Sequence, residues 1–416
     1  MLHVSTYDIA GGAARAAHRL HTGLRRAGVD SRMYVKERQV ADDAITACDR
    51  SFTLPQRGWR YLKARRMKRR LAAYDATRPA GHAGFTQARV LDGKRVVRQL
   101  PDADIYNLHW INRFVDPLLF FGSVGKPAVW TLHDMNPFTG GCHYDDGCSR
   151  FTDRCGACPQ LGSADASDLS RANWERKAAA YAGANVQVVC PSRWLAEEAR
   201  RSSLLGRFDI TVVPHGVDTA EYAPRDAAAA RPALGIPSGA RVVLFAADST
   251  RDTRKGLHLL LDVLQGLAGS LDELFLLSMG RGGTDLHIPV PHVHLGALGV
   301  DRMLALAYNL ADVFVLPSRQ DNLPNTVLES MACGTAVVAF DTGGVPDMVR
   351  PQETGLLAPR GDGPALGEAM RYMLTHDHER NRMGRQARAV VEREYTLELQ
   401  ANRYRSLYEK RLIDVR

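Results

Sequence analysis

Asp321-Asn322-Leu323-Pro324-Asn325-Thr326-Val327-Leu328-Glu329 is the most informative stretch of the chain. It follows a β-branched run at 313–316 and leads into a helical pattern at 326–333. Asn322 and Pro324 stop the strand, and Asn325 or Thr326 is expected to cap the helix. A strand-to-helix turn leaves backbone N–H groups unpaired at the positive end of a helix dipole. That is a natural seat for a diphosphate. Glu329, about one turn in, can accept two hydrogen bonds from a ribose diol. Taken alone, the segment also fits a plain capped helix with one solvated glutamate.

Outward from this turn, short apolar runs alternate with helical patterns. Strands are expected at 241–246, 274–279, 293–295, 313–316 and 336–340, and helices at 256–267, 301–310 and from 365 onward. The first half repeats the scheme, with strands at 3–6, 31–35, 104–108, 128–132, 186–189 and 210–213 and helices at 13–27, 170–182 and 192–202. Such alternation predicts an α/β protein with parallel sheets covered on both faces. The series restarts near residue 215. The expected division is therefore 1–214, 215–395 and a helical tail, 396–416, that crosses back to the first domain. Two Rossmann-like, doubly wound domains facing a cleft would bind ligands beyond the carboxyl ends of their strands.

Composition agrees with this class. The chain has 416 residues, 45% hydrophobic and 24% charged, which excludes a disordered chain, a collagen and a small disulfide scaffold. No apolar run is long enough to span a bilayer. The first residues lack the basic and apolar regions of a secretory leader, so a cytoplasmic location is expected. Net charge is +8, yet residues 50–100 hold 14 Lys/Arg against only Asp75 and Asp92.

The run Leu316-Pro317-Ser318, Glu329 to Ala339, Gly343-Gly344-Val345-Pro346-Asp347 and Gly355-Leu356-Leu357 resembles the donor-binding half of family 4 retaining glycosyltransferases. Those enzymes have the GT-B fold. Their hallmark is a Glu, seven residues and a second Glu, and Asp321 and Glu329 stand in those places. The first carboxylate is shorter by one C–C bond, about 1.5 Å. The resemblance implies that Asp321 holds donor-sugar hydroxyls and Glu329 the nucleotide ribose, with Asn322, Leu323, Pro324, Asn325 and Thr326 lining the donor. Upstream, Asp252-Thr253-Arg254-Lys255-Gly256 ends the first loop of the second domain. In the family an Arg and a Lys here grip the diphosphate, which assigns Arg254 and Lys255, with Arg251 as runner-up. Such cations act most as charge develops on the departing nucleotide. Pro214-His215-Gly216-Val217-Asp218 is similar to the family's interdomain segment.

In the first half, Gly11 and Gly12 follow a strand and open a helix, where backbone can approach a ligand closely. They do not form the Gly-x-Gly-x-x-Gly fingerprint. The resemblance makes them a loop contacting donor phosphate or acceptor. His109 and His133 both fall at strand ends. His133 matches the family's functional histidine, and an imidazole there can hold an acceptor or donor hydroxyl. His109 is an acceptor-side candidate, and a structural histidine beside Asp134 is the alternative for His133. Asp102-Ala103-Asp104 mimics a metal motif but opens a strand, so it reads as structural. No catalytic metal is expected.

Cys142, Cys148, Cys155 and Cys158 lie in one glycine-rich loop, 140–160. Four thiols suit a tetrahedral structural zinc site, with His143 able to replace one; an iron–sulfur cluster and an unliganded loop stay open. A similar loop occurs in a bacterial subgroup of the family that makes surface polysaccharides. Arg57, Arg60, Lys63, Arg65, Arg66, Lys68, Arg69 and Arg70, interleaved with Trp59, Tyr61, Leu62, Met67 and Leu71, form a basic segment expected to be amphipathic. Such a segment suits an anionic membrane surface. No nucleic-acid-binding motif accompanies it.

The resemblance implies transfer of a sugar, with retention, from a nucleoside-diphosphate sugar to a saccharide acceptor. A lipid-linked acceptor at the inner membrane face is the expectation. The alternatives are a catalytically silent polyanion-binding module, which the Asp321 replacement favours, and a nucleotide-sugar epimerase on the same fold. A sugar phosphorylase is disfavoured because no pyridoxal-phosphate lysine motif is recognisable.

Overall fold

The computed structural model describes residues 1–79, 84–282 and 287–414. Residues 80–83 of the basic segment and the last two of the expected tail lie outside the described residues. The chain forms two compact units. One holds residues 1–213 and the segment from Ala401 onward; the other runs from Pro214 to Gln400.

Among the described residues, the first unit has a seven-stranded parallel sheet ordered β3-β2-β1-β4-β5-β6-β7. The strands are β1 (Leu2–Tyr7), β2 (Arg32–Glu37), β3 (Ile45–Ala47), β4 (Tyr106–Leu108), β5 (Ala128–Thr131), β6 (Val186–Cys190) and β7 (Ile210–Val212). The helices are α1 (Gly12–Arg26), α2 (Leu54–Ala72), α3 (Gly93–Arg98), α4 (Pro117–Ser123), α5 (Leu169–Tyr181) and α6 (Arg193–Arg201). Every residue of β6 is buried, as a strand covered on both faces requires. In α1 the buried Ala16, Ala17, Leu20, His21 and Leu24 recur at helical spacing, giving one stripe toward the sheet. Strand order reverses between β1 and β4, which opens a crevice at their carboxyl ends.

The second unit has a six-stranded parallel sheet, also among the described residues, ordered β10-β9-β8-β11-β12-β13. Its strands are β8 (Arg241–Ser249), β9 (Leu274–Arg281), β10 (His292–His294), β11 (Val313–Leu316), β12 (Ala336–Asp341) and β13 (Gly355–Pro359). Helices α7 (Leu257–Leu267), α8 (Asp301–Leu310), α9 (Asn325–Ala332), α10 (Gly363–Thr375) and α11 (Asp377–Glu394) cover it. Its order reverses between β8 and β11. The final helix, α12 (Leu397–Ile413), carries Ala401, Tyr404, Leu407 and Tyr408 into a core with Leu20, Leu24 and Val129 of the first unit. Tyr404 Oη shares a hydrogen bond with Thr131 Oγ1 at 2.9 Å, and Asn107 Nδ2 donates to Tyr408 Oη at 2.7 Å.

The basic segment folds as α2 but is not amphipathic. None of its residues is buried, and Leu54, Trp59, Tyr61 and Leu62 are exposed. Met67 and Leu71 instead line a cavity. The apolar positions are spread around the helix because their spacing never settles into a 3.6-residue period. Among the described residues no helix is long and apolar enough to cross a membrane.

Candidate functional site

In the second unit the loops after β8 and β11 leave on the two sides of the strand-order reversal, and they meet. Asp252 accepts the Arg254 N–H at 3.1 Å and starts one helical turn over Thr253–Lys255. Gly256 ends that turn at φ 74°, and a Cβ there would lie 1.9 Å from the Pro317 carbonyl oxygen. Only glycine fits both the left-handed backbone and the contact. Arg319 N–H donates to the Arg254 carbonyl at 2.8 Å. The basic loop is thus pinned against the end of β11.

This pinning places Lys255 Nζ 2.6 Å from Oδ2 of Asp321, with Arg254 Nη1 at 3.6 Å from the same oxygen. Ser318 donates to it at 3.2 Å. Burial alone would raise the Asp321 carboxyl; Lys255 and Arg254 overcome burial and hold it below the usual range. Arg254 also donates to the Gln320 carbonyl at 2.7 Å, whereas Arg251 is exposed. Gly343, at φ 55°, presses against the Asp321 carbonyl oxygen, which a Cβ would approach to 1.8 Å.

Helix α9 begins at Asn325, and its N-cap residue is Pro324, without a side-chain cap. The expected capping by Asn325 or Thr326 is therefore not made. Pro324 takes the extended capping position at φ −66°, which suits its ring. Thr326 Oγ1 is buried without a hydrogen-bond partner among the described residues. Leu323 and Asn322 are buried in the turn ahead of the helix. Glu329 is buried, and Tyr308 on α8 donates its hydroxyl to Oε2 at 2.9 Å. Burial, and then the Glu329 carboxylate, push the Tyr308 phenol up. The arrangement offers cations, an uncapped helix terminus and an anchored carboxylate within one turn of chain, which suits a polyol diphosphate.

In the first unit Gly11, at φ 87°, is the N-cap of α1, and Gly12 is its first residue, again with no side-chain cap. Asp8 holds the preceding loop by accepting the Ile9 N–H at 2.8 Å and those of Gln39 and Val40 at 2.6 and 2.8 Å. His109 and His133 come together: Nδ1 of His109 lies 3.1 Å from Nε2 of His133. His3, on β1, extends the series, with its Nδ1 2.8 Å from Nε2 of His109. Burial pushes the His133 imidazole down to about 4, so it is neutral at pH 7. Asp134 pairs with His143, at 2.6 Å, and also acts electrostatically on His133. Asp134 also accepts Trp110 Nε1–H at 2.9 Å and the Asn136 N–H at 2.8 Å.

Among the described residues, no group of three or more His, Cys, Asp or Glu side chains could hold a metal ion. Cys142, Cys148, Cys155 and Cys158 lie near enough to act electrostatically on one another. Cys155 Sγ accepts the Gly140 N–H at 3.1 Å. Both His143 nitrogens are engaged, by Asp134 and by Thr86 Oγ1 at 2.7 Å, so His143 does not substitute for a thiol. Burial raises the Cys142 and Cys158 thiols and lifts Cys155 to about 11, which keeps them protonated. Lys177 closes the loop by donating to the Asn136 and Thr139 carbonyls at 2.5 and 3.0 Å. Asp102 and Asp104 are exposed ahead of β4, and His215 is buried in the second unit.

Reasoning from sequence missed His3 and Tyr308, and gave no separate role to Ser318 and Gly343 within the run that carries the resemblance. His3 lies on a β1 whose carboxyl end faces the reversal point. Gly343 stands in a Gly-Gly pair after a strand. Tyr308 carries no local signal.

Two parallel sheets of order 3-2-1-4-5-6 type, each with its polar loops at the carboxyl ends, define a GT-B fold. The structure is similar over 99% of its length to 99% of a sucrose-phosphate synthase from Thermosynechococcus elongatus, with a TM-score of 0.68 and 17% identity. It is similar over 98% of its length to 99% of Anabaena HepE in complex with UDP-glucose, with a TM-score of 0.68 and 15% identity. A family model described as Glycosyltransferase Family 4 matches residues 10–221, and one described as Glycosyl transferases group 1 matches residues 240–376. The first spans half of the chain, which therefore belongs to glycosyltransferase family 4. Among curated relatives, the chain is 31% identical over 208 residues to a phosphatidyl-myo-inositol mannosyltransferase of Mycobacterium leprae, a match covering 48% of this chain and 54% of that protein. It is 36% identical over 180 residues to a D-inositol 3-phosphate glycosyltransferase of Mycolicibacterium gilvum, covering 39% of each. The chain spans about half the length, or less, of these relatives.

Proposed function

We propose that this protein is a retaining glycosyltransferase that moves a sugar from a nucleoside-diphosphate sugar to a lipid-linked saccharide acceptor in surface polysaccharide or glycoconjugate biosynthesis. The observation that carries the reading is the convergence of Lys255, Arg254 and Asp321 beside the uncapped start of α9, with Glu329 one turn in. The diphosphate would take the α9 amides and the Thr326 hydroxyl, with Arg254 and Lys255 as counter-ions. Glu329, already oriented by Tyr308, would accept from the ribose hydroxyls, and Asp321 from the sugar. His133, neutral and backed by His109, would hold a hydroxyl from the first unit, where Gly11 and Gly12 offer a second uncapped helix start.

In the step itself the bond from the anomeric carbon to the phosphate oxygen breaks. A bond to the acceptor oxygen forms on the same face, and the departing phosphate takes the acceptor proton. The cations stabilise that phosphate as its charge grows. The exposed cations and aromatic residues of α2 support contact with an anionic membrane. Reversing charge at Arg65, Arg66, Arg69 and Arg70 would then release the protein from anionic vesicles, and unchanged binding would remove the membrane reading. The main test is a thermal-shift panel of nucleotide sugars followed by turnover of the stabilising compound with and without an acceptor, because a ligand bound to the folded state raises its stability by mass action. No stabilisation by any of them would overturn the reading; turnover without acceptor would favour epimerisation.

A further inference from the structure

The first unit holds a cavity of about 290 Å³ beside the carboxyl ends of β2 and β3 and the loop after β4. Its apolar floor comes from Phe52, Met67, Leu71, Phe85 and Phe114. Its mouth is cationic: Lys36, Arg50, Arg60, Arg89, Arg95 and Arg113 all line it, against the acids Asp49 and Asp92. Those two acids are already taken. Arg60 pairs with Asp92 at 2.6 Å and Arg95 with Asp49 at 2.7 Å. Lys36 and Arg50 reach only the exposed Glu37, at 3.9 and 3.6 Å. Arg89 and Arg113 have no ion pair among the described residues.

Crowded like charges without counter-ions raise the energy of the empty site, and an anion would lower it. The Lys36 ammonium reports this field: burial, then Arg50 and Arg113, push it down against Glu37 and Asp92. Arg113 is also held at φ 60°, a left-handed backbone that strains a non-glycine residue. Strain of this kind at the mouth of a charged cavity marks a functional position. Phe52 ties floor to rim, since the Arg60 and Arg95 guanidinium groups lie 3.8 and 4.7 Å from its ring centroid.

We propose that this cavity binds an anionic amphiphile, a phosphate or diphosphate ester of a long-chain alcohol. The charged group would sit among Lys36, Arg89 and Arg113, and the start of the chain on the aromatic floor. A free phosphate would leave the floor empty, and a nucleic acid would present no aliphatic chain to fill it. The exposed Trp59, Tyr61 and Leu62 on α2, the helix that walls the cavity, suit delivery from a lipid surface. The proposal deepens the lipid-linked acceptor reading and rests on it.

The test titrates the full-length protein with monomeric n-alkyl phosphates from butyl to decyl, with inorganic phosphate and 1-octanol as separate arms. Each methylene that enters the floor tightens binding by about fourfold until the cavity is full. Octyl phosphate should bind at least about tenfold more tightly than either phosphate or octanol. An affinity independent of chain length, or octanol binding as well as octyl phosphate, would overturn the proposal. Replacing the unpaired cations, R89Q with R113N, should weaken octyl phosphate by about tenfold or more. Asparagine tolerates the left-handed backbone, so the fold is retained, and the chain-length series in the unsubstituted protein decides the matter without any variant. Nucleotide-sugar binding measured on the same sample separates the two readings. Intact donor binding without alkyl phosphate binding removes only the cavity assignment, and absent donor binding removes the glycosyltransferase reading.

Discussion

Lys255 Nζ lies 2.6 Å from Asp321 Oδ2, although 66 positions separate the two residues. The contact joins the loop after β8 to the loop after β11. Because the folded Asp321 carboxyl titrates below its usual value, the pair stabilises the protein above the unfolded carboxyl value of about 3.9, and that contribution is lost as pH falls through the folded value. Asp321→Asn should therefore cost about 3 kcal/mol at pH 7. The gap from the unsubstituted protein should narrow below about pH 4. Denaturant unfolding at both pH values measures it, and a gap that widens in acid would show that another group carries the effect.

Glu329 and Tyr308 form the second fixed point, at 2.9 Å. Removing the carboxylate with Glu329→Ala should cut nucleotide affinity by about tenfold or more, since hydrogen bonds to a charged group are worth about 1.5–3 kcal/mol. Tyr308→Phe keeps the carboxylate but removes one donor from its Oε2. It should lower affinity by only a fewfold and stability by about 1 kcal/mol. Calorimetric titration with the stabilising nucleotide ranks the two. Equal losses would mean that Glu329 acts through the core and not on the ligand.

The imidazole series makes a separate prediction. Each contact in His3–His109–His133 needs one N–H and one lone pair, so the three tautomers are coupled. Nε2 of His3 is buried without a partner among the described residues. A bare lone pair is tolerated there better than an N–H lacking an acceptor. That places the protons of His3, His109 and His133 on Nδ1 and makes His133 a hydrogen-bond donor through Nδ1. Nitrogen NMR of the imidazoles should find neutral His133 with its proton on Nδ1 at pH 7, and a mixture of tautomers in His109→Phe. A proton on Nε2 of His133 in the unsubstituted protein would refute the ordering.

What could be read from the sequence was local. The 321–329 turn announces itself because strand stop, turn and helix start lie within one window, and the βαβ rhythm follows from apolar periods. The helix cap was misread because Pro324 fills the capping position with no side-chain acceptor. β3, α3 and α4 hold 3, 6 and 7 residues, too few to show a period. The His3–His109 contact spans 106 positions and exists only because β1 and β4 are neighbours in the sheet. The cationic cavity draws on β2, α2, α3 and the loops between them, pieces far apart in the chain. Charge density over residues 50–100 was visible, but not which of its cations lack a partner.

Gly256 offers the sharpest test of how the site is built. Its backbone is left-handed at φ 74°, and a Cβ would stand 1.9 Å from the Pro317 carbonyl oxygen, a rigid backbone atom. Gly256→Ala must therefore both strain the turn and push the 252–256 loop away from β11. Stability should fall by at least about 2 kcal/mol. Nucleotide affinity should fall with it, because Lys255 and Arg254 ride on the displaced loop. Gly235 provides the comparison. It has φ 70°, but a Cβ there would meet nothing within 4 Å among the described residues, so Gly235→Ala carries the conformational cost alone, about 1 kcal/mol. Its nucleotide affinity should stay unchanged. Thermal unfolding and nucleotide titration of both variants separate backbone strain from loop displacement. Full affinity in Gly256→Ala would show that the diphosphate does not depend on where that loop is held.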